Sequence, residues 1–380
     1  MFSKFDKTLS KLRSAHGDPH VVVGISGGVD SAVTALLLKE AGIRVTAIFM
    51  KNWNEPDEYG NCRWEEDVED ALDVCEKLDI PINTVDLSQQ YWDGVFEDFL
   101  REYKLGRTPN PDILCNREVK FRAFLDHIDA LDGDLVATGH YARIDQCADD
   151  DHTSWQLQRG LDTNKDQSYF LYTLGQSQLS RSIFPIGSLK KAAVRELAKK
   201  ARLEVHTKKD STGICFIGER KFRQFLSEYI SIKPGPIKTL DGATIGEHSG
   251  IAFYTMGQRE GLGIGGVQGY PQGAWFVAAK NVDTNELYVT QGHNHASLMN
   301  RHLKADTVHW ISELEPKFPL TCTAQTRYRQ KDAPCKVIKS SDDTIDVQFD
   351  EPQRAVTPGQ SVVFYDGVIC LGGAIIDSVS

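Results

Sequence analysis

Residues 21–31 read Val21-Val22-Val23-Gly24-Ile25-Ser26-Gly27-Gly28-Val29-Asp30-Ser31, a short apolar β-branched run passing through glycines and hydroxyls into a helical pattern. A continuous apolar run of this length is the mark of a strand buried on both faces, as in a parallel sheet covered by helices. The stretch after it, Ala32 to Lys39, reads as a helix, and Val45 to Met50 as the next strand. Val68, Ala71, Leu72, Cys75 and Leu78 then recur at helical spacing opposite Glu66, Asp70, Asp73 and Glu76, which predicts an amphipathic helix with that apolar stripe inward. Ile82 to Val85 is a third strand, Val95 to Tyr103 another helical stripe, and Leu135 to Thr138 a strand running into Gly139-His140. Alternation of this kind predicts a doubly wound α/β domain around a parallel sheet.

Further on the character changes. Gly106 to Asn116 reads as a loop held open by Pro109 and Pro111, with a helix beginning near Arg117. Beyond the helix Leu189 to Ala201 comes a glycine-rich tract, Gly261 to Gly273. Short runs follow at Trp275 to Ala279, Leu287 to Val289, Thr323 to Tyr328, Ile345 to Phe349 and Val362 to Tyr365. These predict antiparallel sheet closing as a small barrel. The expected division is 1–212, 213–291 and 292–380: the α/β domain, a small linking domain and a β-rich C-terminal domain.

The chain has 380 residues, 41% of them hydrophobic and 25% charged, with a formal net charge of −10. That composition excludes a disordered chain or a fibre, and no stretch approaches the roughly 18 apolar residues that span a bilayer. The N-terminal twenty residues mix lysines and aspartates without an apolar run, so a secretory signal is not expected and the address is cytoplasmic. Eight cysteines with no Cys-x-x-Cys pair are too few for a disulfide scaffold and give no zinc ribbon.

Gly24 to Ser31 lies between the first strand and the first helix, where open α/β sheets bind ligands. Its glycines expose backbone N–H groups, Ser26 and Ser31 add hydroxyls, and the helix N-terminus favours an anion. No Gly-x-x-x-x-Gly-Lys-Ser/Thr is present, so the Walker arrangement fails. The segment resembles the PP-loop, Ser-Gly-Gly-x-Asp-Ser, of enzymes that split ATP between the α and β phosphates. A competing reading takes Gly24-x-Ser26-x-Gly28 as a nucleophile elbow, with Ser26 attacking and His140 or a later histidine as base. Gly261-x-Gly263-x-x-Gly266 has the form of a dinucleotide fingerprint, but Gly265, Gly269, Pro271 and Gly273 deny it a helix.

Two cysteines stand apart. Cys115 lies in Asn110-Pro111-Asp112-Ile113-Leu114-Cys115-Asn116-Arg117, before the expected helix start and near Arg117 and Lys120, a setting that favours a thiolate. Cys215 lies in Gly213-Ile214-Cys215-Phe216-Ile217-Gly218. The bland alternative for each is a packed core thiol, and an iron–sulfur cluster on both with a third ligand needs no Cys-x-x-Cys either.

These motifs, with Gly139-His140-Tyr141 and Lys165-Asp166-Gln167-Ser168-Tyr169, occur in the same order in the tRNA-specific 2-thiouridylase family, which the chain resembles from about Val22 to Ile375. The resemblance implies ATP in the loop Gly24, Ile25, Ser26, Gly27, Gly28, Val29, Asp30 and Ser31, with Met50 and Gly139 beside the adenosine. Mg²⁺ is expected with the nucleotide. The resemblance places Asn110, Pro111 and Asp112 against the target base, Cys115 as nucleophile and Cys215 as persulfide carrier. It assigns tRNA contacts to Lys165, Asp166, Gln167, Arg327 and Tyr328, and positioning to His140 and Gln360. The product would be 2-thiouridine at the wobble position of tRNA. A persulfide donor, such as a cysteine desulfurase or a relay protein, is the expected partner, and a transient disulfide between Cys115 and Cys215 would need a reductant. Lysines and arginines concentrated from Lys190 to Arg223, with Arg327, Arg329 and Lys331, are the expected RNA-facing charge. A non-catalytic RNA-binding adaptor is the alternative of a different class.

Overall fold

A computed structural model of the chain describes residues 17–54, 62–149, 152–210 and 222–380. Three sheets organise them. The first is built from β1 (His20–Ile25), β2 (Arg44–Lys51), β3 (Ile82–Asp86), β4 (Leu135–Ala137) and, after an intervening hairpin β5 (Ala142–Asp149) and β6 (His152–Arg159), β7 (Ser182–Ile183). Its order is β3-β2-β1-β4-β7 and every pairing is parallel. β1 is central, and all six of its residues are buried, which is why its sequence is apolar without alternation.

Helices α1 (Val29–Glu40), α2 (Arg63–Leu78), α3 (residues 88–104), α4 (residues 111–129), α5 (Gln176–Ser180) and α6 (Lys191–Lys200) accompany the sheet. The α2 stripe is rotated from the expected one: Ala71, Val74 and Cys75 are buried, whereas Leu72 is 46% exposed. α4 also departs from expectation. It starts at Pro111 rather than near Arg117, with Asn110 as N-cap accepting a hydrogen bond from the Asp112 N–H at 3.2 Å. Proline fits the first helical position because its missing N–H would have no partner there. From Cys115 to Ala123 the helix adopts π-helical hydrogen bonding.

After α7 (Phe222–Tyr229), a second sheet of order β10-β11-β8-β9 comprises β8 (Gly235–Thr239), β9 (Thr244–His248), β10 (Trp275–Asn281) and β11 (Glu286–Gln291). The glycine-rich tract before β10 forms no helix. β12 (Met299–Trp310), β13 (Leu320–Gln325), β14 (Ala333–Ser341), β15 (Thr344–Arg354), β16 (Ser361–Asp366) and β17 (Ile369–Val379) close an antiparallel six-stranded barrel through the β12–β17 pairing. The expected strand Thr323 to Tyr328 stops at Gln325. The β5–β6 hairpin, unforeseen in the sequence, extends this barrel sheet from within the α/β domain: Gln158 and Leu157 pair with Ile369 and Cys370. Among the described residues no helix is long and apolar enough to cross a membrane.

Candidate active site

The parallel order 3-2-1-4 puts a topological switch between β1 and β4, where the connections leave on opposite faces and open a crevice beyond the strand ends. The loop of residues 24–31 leaves β1 at that point, and Thr138-Gly139-His140 leaves β4 beside it. A Cβ on Gly139 would lie 2.8 Å from the Ser31 N, so the two loops touch because that residue is glycine. Gly27 has φ of +67°, and a Cβ there would stand 2.3 Å from the Asp67 carbonyl oxygen of α2. Gly28 differs: its nearest neighbour would be Ser26 Oγ at 3.5 Å, leaving that face open.

The loop is held by its own hydroxyls. The Ser26 N–H donates to Ser31 Oγ at 3.1 Å, and Ser31 Oγ donates to the Gly28 carbonyl at 3.1 Å. Ser26 Oγ is 3.2 Å from Ser31 Oγ, while His140 Nδ1 is engaged by Thr138 Oγ1 at 2.7 Å. No nucleophile–histidine pair forms here among the described residues, and the elbow reading has no base. His140 is buried between Phe121 and Phe184. Burial, helped by the charge of Lys120, drives its pKa well below the ordinary histidine value, so it is a neutral wall of the crevice.

Asp30 ties the loop to two other segments. Tyr141 donates its hydroxyl proton to Asp30 Oδ1 at 2.7 Å, and Lys191 Nζ reaches both Asp30 oxygens at 2.9 and 2.8 Å. Lys191 is also 2.8 Å from Asp210, which further holds Lys165 and, at 2.8 Å, Arg195. Burial pushes the Asp210 carboxyl up, but hydrogen bonds from Lys165 and Lys191 and their charges outweigh it and bring it down to about 2. Lys208 pairs with Asp67 and Asp70 of α2. The basic stretch expected to face RNA is thus partly spent inside the protein. Lys191, Arg195 and Lys208 are engaged in ion pairs, and Arg223 donates to Ser249 Oγ and the Gly261 carbonyl.

The segment Lys165-Asp166-Gln167 is similarly turned inward. Both Asp166 oxygens are occupied, Oδ1 by the Gly160 and Ser168 N–H groups and Oδ2 by Arg159 and Ser168 Oγ. Gln167 and Tyr141 exchange two bonds of 2.9 Å, which fix this loop against the end of β4. Tyr328 packs on Phe170 with ring centroids 4.4 Å apart, so residues 165–170 and the exposed Arg327 are neighbours despite their separation along the chain. Asn116 Nδ2 donates to the Phe170 carbonyl at 3.1 Å, linking the helix of Cys115 to the same junction.

Met50, at the end of β2, brings its Cε to 3.4 Å from where a Cβ on Gly24 would stand, beside the loop. Cys115 lies in the second turn of α4, not at its N-terminus as its sequence setting suggested. It is wholly buried with Trp53, Phe96, Val119 and Phe225. Phe225 and Leu226 of α7 belong to this cluster. Cys215 lies outside the described residues, between Asp210 and α7.

Gln360 contacts the loop that leads to Asn110, donating Nε2 to the Thr108 carbonyl at 2.6 Å. The same loop receives Lys280 Nζ on the Gly106 carbonyl at 3.1 Å and returns Arg107 to Asp377 at 2.6 Å. Burial lowers the Lys280 ammonium to about 8. Sequence reading missed Asp210, Thr108 and Lys280, and took Lys191 only as one of the RNA-facing cations. Tyr141 stood inside a quoted motif, but nothing in the sequence separates Lys191 from Lys190.

Three family models match: a tRNA methyl transferase HUP domain over residues 19–219, a tRNA methyl transferase PRC-barrel domain over 223–291 and an aminomethyltransferase beta-barrel domain over 300–376. The tRNA-specific 2-thiouridylase MnmA of Francisella tularensis subsp. holarctica is 54% identical over 356 residues, covering 94% of this chain and 98% of the relative. The same figures hold for MnmA of subsp. novicida. Among solved structures, NMN synthetase from Francisella tularensis aligns with a TM-score of 0.34 at 22% identity, covering 55% of this chain and 73% of that one. With identity of this level running from the loop after β1 through the barrel, the chain belongs to the tRNA-specific 2-thiouridylase family.

Proposed function

We propose that the protein is an ATP-dependent tRNA-uridine 2-sulfurtransferase that converts the wobble uridine to 2-thiouridine. The observation that carries this reading is convergence. A glycine-lined anion cradle opens at the sheet's switch point, and the chain flanking Cys215 is anchored on both sides of it. Asp210 belongs to the ion-pair network of the cradle, and Phe225 to the cluster that encloses Cys115. Six residues separate Cys215 from Phe222, and a chain segment of that length spans at most about 25 Å.

The chemistry explains why both halves are needed. A uracil C2 oxygen is a very poor leaving group, and transfer of an adenylyl group onto it, with release of pyrophosphate, makes AMP the leaving group instead. N–H donors of residues 26–31 would stabilise the charge developing on the phosphates. The terminal sulfur of a Cys215 persulfide then bonds to C2 as AMP departs. Cys115 attacks Cys215 Sγ, the S–S bond of the persulfide breaks with its electrons passing to the sulfur now on the base, and a Cys115–Cys215 disulfide remains. A dithiol reductant reopens it. The loop's carboxylate, Asp30, with phosphate oxygens suits Mg²⁺, which takes one or two protein carboxylates beside a nucleotide and would neutralise triphosphate charge. Among the described residues no group of three His, Cys, Asp or Glu forms a cage for a metal. The methyl-transfer wording of two family models fits less well, since methylation requires neither an ATP-splitting loop nor a pair of thiols.

In this reading residues 1–212 bind ATP and carry Cys115, 213–291 link and contact tRNA with Cys215 at their start, and 292–380 help hold tRNA. Asn110, Pro111 and Asp112 face the extruded base. Lys165, Arg327 and Tyr328 meet the RNA, whereas Asp166, Gln167, His140 and Gln360 shape the surfaces it rests on. The sulfur arrives from a persulfide donor, and the reaction belongs in the cytoplasm with its tRNA. Incubation with tRNA, ATP and a persulfide donor, followed by nucleoside mass spectrometry, should yield 2-thiouridine with tRNA-dependent pyrophosphate release. Cys115→Ser and Cys215→Ser should each abolish thiolation while retaining ATP binding; near-normal thiolation in either variant refutes the scheme. A hydrolase or an adaptor would release no pyrophosphate in response to tRNA.

A further inference from the structure

Residues 24–31 carry no cation; their one charged side chain is Asp30. Cleavage between the α and β phosphates leaves pyrophosphate, whose negative charge grows in the transition state, and positively charged groups are the usual complement to N–H donors there. Among the described residues one ammonium reaches this loop. Lys191 is the first residue of α6, its side chain is 12% exposed, and its Nζ contacts both Asp30 oxygens and Asp210. Lys165 and Arg195 meet Asp210 as well, and among the described residues neither forms an ion pair with the loop.

The surroundings separate what is fixed from what can move. The Lys191 N–H is held by Asp162 Oδ2 at 2.9 Å, so the backbone is anchored while a four-carbon stem carries the charge. Asp210 keeps two other cations if Lys191 turns away, and Asp30 keeps the Tyr141 hydroxyl. Leaving these partners strands neither carboxylate, unlike removal of one member of an isolated buried pair.

We propose that Lys191 binds the β and γ phosphates of the nucleotide and stabilises the departing pyrophosphate, Asp30 and Asp210 holding its ammonium at the loop until the nucleotide arrives. This rests on the ATP-splitting reading of residues 24–31. A residue that serves only to brace the loop would matter equally for every nucleotide, whereas a group that meets the β and γ phosphates is indifferent to AMP.

The test is calorimetric titration of the full chain with ATP, inorganic pyrophosphate and AMP, for wild type, Lys191→Gln, Lys191→Arg and Asp210→Asn. Lys191→Gln should weaken ATP and pyrophosphate binding at least tenfold while AMP affinity stays within about twofold. It should also slow tRNA-dependent pyrophosphate release by roughly 100-fold, as loss of one charge-stabilising donor does. Lys191→Arg should recover part of the ATP preference, and Asp210→Asn, which keeps the ammonium, should retain it. Equal loss of ATP and AMP affinity in Lys191→Gln, or an unchanged ratio between them, overturns the proposal. Wild type binding ATP no more tightly than AMP overturns the nucleotide reading and this assignment together.

Discussion

Gly27 and Gly28 are adjacent and chemically identical, yet the structure asks different things of them. Gly27 needs a left-handed backbone and room against the Asp67 carbonyl, whereas Gly28 has φ of −101° and open space before it. Gly27→Ala should therefore cost stability, about 1–3 kcal/mol from the backbone alone and more from the clash. Gly28→Ala should leave the unfolding free energy within about 0.5 kcal/mol of wild type yet weaken ATP by filling the cradle. Denaturant titration and ATP calorimetry on both variants check the pair, and a Gly28→Ala protein with normal ATP affinity would contradict the cradle. His140 gives a prediction in pH. Its folded pKa lies below the ordinary 6.5 because it is buried, so below pH 6.5 the unfolded chain takes up a proton that the folded chain refuses. Stability is present above that pH and is lost as pH falls through it, by up to about 1.4 kcal/mol per pH unit for each such histidine. His140→Gln should lose about 1 kcal/mol less than wild type between pH 6.5 and 5.5 in denaturant titrations. His248 and His309, also depressed by burial, act equally in both proteins and cancel; equal acid sensitivity would mean that His140 is protonated in the fold.

The alternation of buried strands and amphipathic helices was legible because β1 and β2 are apolar runs and because α2 and α3 repeat with helical period. The start of α4 was misread for a physical reason. Prolines at 109 and 111 bias their predecessors away from helix, but Pro111 itself sits where a helix tolerates it, with Asn110 capping. The shift matters, because it moves Cys115 from an exposed helix end into a closed cluster of aromatic side chains. The β5–β6 hairpin stayed hidden because its partner, β17, lies some 200 residues downstream, and local pattern carries no register with a strand so remote. α7 contributes Phe225 and Leu226 to the cluster that buries Cys115. If that cover controls access, a Phe225→Leu substitution, which removes ring contacts at modest volume cost, should speed alkylation of Cys115 by iodoacetamide severalfold over wild type. Peptide mass spectrometry reads this directly. A rate unchanged from wild type would show that α7 is not the gate and that Cys115 is reached from another side.

Across the whole molecule the second sheet and the barrel meet on one short loop. Residues 106–110 lead into Asn110 and the helix of Cys115, and their backbone is held from two directions: by Lys280 of β10 on the Gly106 carbonyl, and by residues 358–360 at the entrance to the barrel strand β16. The Thr108 N–H donates to the Pro358 carbonyl at 3.1 Å, Gln360 returns a bond to the Thr108 carbonyl, and the Gly359 N–H donates to Ile376. Gly359 has φ of +89°, and a Cβ there would lie 2.9 Å from the Cβ of Arg107 and 3.0 Å from the Thr108 N. Among the described residues no hydrogen bond or ion pair joins this contact to the loop of residues 24–31. The clamp therefore separates two capacities that a shared core would couple, nucleotide binding at the end of β1 and base placement at the start of α4. Gly359→Ala should leave ATP affinity within about twofold of wild type. TRNA-dependent pyrophosphate release and 2-thiouridine formation should both fall, by roughly 100-fold if the displacement approaches 1 Å, since both need the base against Asn110 and Asp112. Gln360→Ala, which deletes a bond without adding a clash, should give the same pattern in milder form. Parallel loss of ATP affinity in both variants would mean that the contact supports the fold at large and does not act on the loop it grips.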